Sequence, residues 1–159
     1  MKYRNEFFCW NWPLLLLAAI CLITLPSAAQ NLFPSGSSWK YFKGRSEASA
    51  PDPSFWRILS FSDSSWNEGE SPFFYGEAYP SGTEIPDMRN NFSTLFLRKI
   101  IQVDEDPGRW SRVTIRSRVD DGFILWVNGK VAQRRNAPEG EPRFNQTAPS
   151  GATEPVSII

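Results

Sequence analysis

The sequence predicts an all-β domain, an antiparallel β-sandwich, behind a signal-peptide helix. Two observations predict it. Thirteen prolines and ten glycines punctuate the 159 residues, and the apolar segments between them are short and β-branched or aromatic rather than spaced for a helix. From Ser111 to Arg135, three strand-like runs are joined by Asp-Gly and Asn-Gly, which tolerate the positive φ of hairpin turns. A sheet with one apolar face must pack on something, and a second sheet is the natural partner.

The first 29 residues read as a bacterial-type export signal. Lys2 and Arg4 supply a positive start, Leu14 to Leu25 a short apolar core, and Ser27-Ala28-Ala29 the small residues of a cleavage site before Gln30. A membrane span needs about 20 apolar residues, and Asn11 and Pro13 interrupt the longer run that begins at Phe7. The expectation is therefore cleavage after Ala29, a secreted or cell-envelope location and no stable membrane span afterwards. Residues 30–37 then form a short linker before a domain over 38–159.

Along that domain, Ser38 to Lys43 is the first strand, Ala48 to Ser54 a proline-bearing loop, and Phe55 to Phe61 apolar but ambiguous. Ser62 to Asp87 is rich in Ser, Gly, Pro and Glu and reads as long loops with short extended pieces. Thr94 to Val103 is a long strand, apolar on both parities and thus expected to be buried on both sides. Asp104 to Gly108 is a turn. Ser111 to Val119 alternates, with Val113, Ile115 and Val119 on an inner face and Thr114, Arg116 and Arg118 on the other. Asp120-Asp121-Gly122, Phe123 to Val127, Asn128-Gly129 and Lys130 to Arg135 complete an antiparallel meander. Glu154 to Ile159 resembles the opening of another strand. An apolar edge with no cap is an unfavourable end for a sheet, so the sandwich is expected to continue beyond Ile159 in a longer chain.

Composition excludes several functions. Both cysteines, Cys9 and Cys21, lie in the signal, and there is no histidine. The domain therefore has no disulfide, no thiol nucleophile and no thiolate or imidazole metal ligand. Signal removal takes Lys2, Arg4 and Glu6 from a chain with 17 basic and 17 acidic residues, leaving a net charge of −1. That balance gives no electrostatic case for nucleic acid. No Gly-x-Ser-x-Gly elbow is present, and the acidic pairs sit in turns rather than at positions expected to face each other across a cleft. The chain alone is not expected to catalyse a reaction.

From Trp39 onward, the motifs resemble the galactose-binding-like jelly rolls of large secreted bacterial proteins, and the sugar-binding domain of family 2 glycosidases carries a similar turn. The pieces are Trp39-Lys40-Tyr41-Phe42-Lys43-Gly44, Phe61-Ser62-Asp63-Ser64-Ser65-Trp66, Phe74-Tyr75-Gly76-Glu77, Phe96 to Val103, the hairpin Arg118 to Lys130, and Arg135 to Gly140. Ser62 stands where that pattern often has an acid, and the closing strands of the pattern are absent.

The resemblance implies an accessory module binding carbohydrate or cell-surface glycan beside neighbouring domains. A structural spacer and the opening of a secreted glycoside hydrolase are the alternatives. Sugar rings pack on exposed aromatics while polar groups bond their hydroxyls, which makes Tyr75 and Tyr79 in the loop-rich stretch, Trp126, Asp121 and Asn128 the candidate ligand-binding residues. Trp126 lies on the parity opposite Phe123, Leu125 and Val127, so it either faces outward or is buried under the N-terminal segment. Asp120 and Asp121 are also carboxylates of the kind Ca2+ takes, since hard cations want several oxygens. Turn chemistry explains both without a cation, and is the preferred reading. No cofactor is expected.

Overall fold

The computed structural model describes residues 31–104, 106–110, 112–151 and 156–158. The expected signal peptide lies outside them. Among the described residues the fold is all-β: nine strands, two short 3-10 turns at Phe55–Arg57 and Pro107–Arg109, and no helix long and apolar enough to cross a membrane.

The first strand, β1 (Ser38–Lys43), is the centre of an antiparallel sheet between β2 (Asn67–Glu70) and β5 (Leu95–Arg98). Register pairs Trp39 with Gly69 and Phe42 with Phe96. Even-numbered residues of β1 and β5 therefore share a face, and Phe42 and Phe96 meet there with ring centroids 6.2 Å apart. Trp56 and Trp66 pack onto that face beside Ala48, with Phe61, Trp126 and Phe144 around them. Each such aromatic buries roughly 150–250 Å², a gain of several kcal/mol at about 25 cal/mol per Å². The described residues contain no cysteine, so no disulfide adds to this cluster there.

On the other face Tyr41 meets Phe73 at 5.4 Å. There β3 (Phe73–Phe74) and β4 (Thr83–Glu84) form a two-residue parallel pair. Thr83 sits against Gly69, where any Cβ would collide with its side chain, and donates its hydroxyl to the Glu70 carbonyl at 2.8 Å.

The hairpin of β7 (Phe123–Val127) and β8 (Lys130–Arg135) spans the expected residues. Its Asn128-Gly129 turn has φ of 49° and 79°, the doubly positive pair that Asn-Gly supplies cheaply. A bulge between Leu125 and Trp126 breaks the simple alternation, and Trp126 packs edge-on against Trp56 at 5.4 Å.

Three expectations are corrected. The long strand from Thr94 to Val103 stops at Arg98: instead of continuing the ladder, the Lys99 ammonium takes the Ser38 carbonyl at 2.7 Å, and Ile100 is exposed. The strand expected from Ser111 is confined to β6 (Ser117–Val119), with Val113 59% exposed rather than inward. The three-strand meander does not form, because β6 pairs antiparallel with β9 (Val156–Ile158), leaving β7 to β8 alone. The turn between β6 and β7 accounts for this. Asp121 has φ 61° and the Gly122 amide bonds the Asp120 carbonyl at 3.1 Å, a tight three-residue reversal. Asn136 then occupies the turn from the side, donating to the Asp121 carbonyl at 2.8 Å, and a Cβ on Gly122 would run into the Asn136 carbonyl.

Candidate functional site

Tyr75 directly follows β3 and Glu84 ends β4, so the β3–β4 pairing brings both to the same end of this short ladder. Phe74 is opposite Glu84, and the Ile85 amide returns to the Phe74 carbonyl at 2.7 Å. Ile85 is the most completely buried side chain described, so it fixes the end of β4. The chain then turns through Pro86 to Asn91, carrying Arg89. Asp120, leaving β6, approaches from the C-terminal half. Together Tyr75, Gly76, Glu84, Pro86, Arg89 and Asp120 line an open depression of about 430 Å³, within the range of small-ligand clefts.

Asp87 ties one wall to the sheet. Its carboxylate accepts from Lys43 Nζ at 2.7 Å and from Arg45 Nη2 at 2.6 Å. The hydrogen bond from Lys43, helped by the charges of Lys43 and Arg45, holds the Asp87 carboxyl below its ordinary pKa. Glu68 is lowered in the same way, first by Lys40 and then by Ser38, and Asp52 by the Ser54 hydroxyl and amide. A carboxyl whose folded pKa is depressed contributes stability above its unfolded pKa and loses it as pH falls through the folded value. Stability to denaturant should therefore decline as pH drops below about 4. Salt should diminish that slope, since all three groups are at the surface. Chemical unfolding at several pH values checks this, and a flat profile between pH 5 and pH 2 would contradict it.

The expected ligand-binding residues do not all converge. Tyr75, 41% exposed, forms part of the depression. Tyr79 is equally exposed but packs on Phe74 at 5.0 Å and is not among the lining groups. Asp121 adjoins the depression through its neighbour Asp120, in the strained position of its turn. Asn128 is at the other end of β7, about 17 Å away along a five-residue strand. Trp126 is half-buried: one edge meets the core, and the Arg57 guanidinium lies 4.2 Å from its ring centroid. Arg57 is held there by a two-pronged ion pair with Glu141.

Glu84, Arg89 and Pro86 escaped the sequence reading, and Asp120 entered it only as a turn residue or cation ligand. Glu84 reaches the site through a parallel pair two residues long, too short to leave an alternation in the sequence. No group of three or more His, Cys, Asp or Glu among the described residues could hold a metal ion. In the turn expected at Asp104 to Gly108, the Asp106 carboxylate accepts from the Gly108 amide at 2.9 Å, opening the second 3-10 turn.

The depression is thus lined by one aromatic residue, two carboxylate residues and one arginine. Such groups grip a polyhydroxylated ligand: the ring covers an apolar face and the charged groups bond hydroxyls. Compared with protein-family models, curated proteins and solved structures, the chain matches none.

Proposed function

We propose that the chain is a non-catalytic accessory module of an exported protein and binds a polysaccharide or cell-surface glycan at the Tyr75 depression. The observation that carries the reading is the convergence of Tyr75 with Glu84, Arg89 and Asp120 in one open cleft. The motifs from Trp39 to Gly140 support it, since galactose-binding-like jelly rolls are built around such segments. The finer fold reading, a jelly-roll sandwich, is supported by the way β1, β5 and β7 contribute Phe42, Phe96 and Trp126 to one aromatic cluster.

A glycan array probed with the purified protein, with and without calcium, tests the proposal. Binding to at least one glycan family is expected, and Tyr75→Ala should weaken it about tenfold, or about 1.4 kcal/mol, while the protein stays folded. Binding to no glycan, or binding that Tyr75→Ala leaves intact, would sink it.

One observation favours a structural spacer instead. Trp56 and Trp66 are buried and Trp126 is covered by Arg57, so core packing accounts for all three. An empty array would favour the spacer.

A further inference from the structure

Among the described residues, five ion pairs tie down Lys40, Lys43, Arg45, Arg57 and Arg98. Arg112, Arg116 and Arg118 are different. All three are exposed, and none joins an ion pair. They occupy even-numbered positions leading into and along β6, and the next even positions reach Asp120, which lines the depression. Arg118 lies on β6, and Arg116 and Asp120 are the residues that immediately flank its two ends, so the three are close in sequence along one short stretch. The β6 partner is β9, with Arg118 opposite Ser157.

We infer that this arginine row and the Tyr75 depression form one track for a linear acidic polysaccharide, with uronate carboxylates on the arginines and a sugar ring at Tyr75. The inference rests on the glycan-binding reading and names its ligand class. Guanidinium matches carboxylate geometry with two parallel hydrogen bonds, and unpaired exposed arginines lose no existing ion pair on binding. The acidic groups of the depression select against a denser polyanion. A polymer with phosphate at every unit would press charge against Glu84 and Asp120. A uronate polymer has one carboxylate per sugar and leaves hydroxyls free for those two acceptors.

Polygalacturonate and its methyl ester, offered to the full chain, supply the test because they share one sugar backbone and the ester lacks the carboxylate charge. Polygalacturonate should bind more tightly, and its advantage should shrink as salt rises from about 0.02 to about 0.3 M. The triple variant Arg112→Gln/Arg116→Gln/Arg118→Gln should lose about tenfold or more in affinity for polygalacturonate and keep its binding to the ester. The corresponding lysine variant should retain most of the salt-sensitive binding, which separates charge from fold damage. Tyr75→Ala should weaken both polymers.

Equal binding of acid and ester, untouched by the glutamine variant, would overturn the acidic track and leave the glycan reading standing. Binding to neither polymer would overturn the track; the array then judges the glycan reading separately. Inorganic polyphosphate bound as tightly as polygalacturonate would overturn the sugar assignment and mark the row as a general anion stripe.

Discussion

Replacing Arg98 with alanine should cost about 3–5 kcal/mol, read as a fall in the denaturant midpoint with an unchanged slope. Arg98 is only 8% exposed at the end of β5, and its guanidinium is the hub of the segment from Trp56 to Asp63. Nε donates to the Trp56 carbonyl at 3.1 Å, Nη2 to the Ile58 carbonyl at 3.0 Å, and Nη1 to the Asp63 carboxylate. Phe61 lies under the cation, 5.8 Å to its ring centroid. Truncation leaves Asp63 without its counter-charge and takes the Arg98 donor from the Trp56 and Leu59 carbonyls, while the Ile58 carbonyl keeps the Phe61 amide, so the loss exceeds that of an exposed pair, which is about 0–1 kcal/mol. Lysine should not rescue it, since one ammonium cannot span the positions that a planar fork serves. Arg98→Ala combined with Asp63→Ala should cost less than the sum of the two single changes, because the stranded carboxylate goes with it. A loss below about 1 kcal/mol would show the pair acts like a surface bridge.

That hub also shows where sequence reasoning succeeds and where it stops. β1, β7 and β8 were legible residue for residue, because each is bounded by turn chemistry such as Asn128-Gly129, or by a glycine at its end, as Gly44 bounds β1. The end of β5 was not. Apolar residues run on through Ile101 and Val103, and nothing local reveals that Arg98 is buried as an anchor or that Lys99 takes a carbonyl at the ladder end. The pairing of β6 with β9 is a contact across almost forty residues, which local pattern cannot report. Hairpin signals specify a turn, yet the Asp121 reversal accommodates Asn136 instead of aligning β6 with β7.

The site follows the same division. Tyr75 was legible as an aromatic in a loop, the usual setting of binding residues. Glu84, Arg89 and Asp120 join it only through long-range placement by β3–β4 and by the end of β6. Trp126 illustrates a different limit: parity along Phe123 to Val127 left its direction open, and the bulge after Leu125 brings it onto Trp56. Its other covering, Arg57, comes from seventy residues away.

Trp56→Ala should be the most damaging apolar truncation, at about 3–5 kcal/mol. Trp56 is 6% exposed and sits where the parts of the core meet: Phe96 at 5.3 Å, Trp126 at 5.4 Å and Trp66 at 5.9 Å between ring centroids. Removing the indole opens a cavity that β5, the Trp66 segment and the β7 hairpin all line. β5 and the strand that Trp66 leads into share one sheet, but the β7 hairpin belongs to another, so no ladder hydrogen bonds draw the hairpin in to close it. Phenylalanine discriminates packing from polarity. The Trp56 indole N–H is buried without a partner, so Trp56→Phe sacrifices packing area but no hydrogen bond and relieves an unmet donor, which alone costs on the order of 1–3 kcal/mol. It should therefore fall well short of the alanine penalty. With average total stabilities of only about 5–15 kcal/mol, the alanine variant should lose a large share of its stability and unfold at much lower denaturant, while the phenylalanine variant keeps most of it. Equal losses for both would mean that the indole N–H is satisfied and that polarity, rather than volume, holds this junction together.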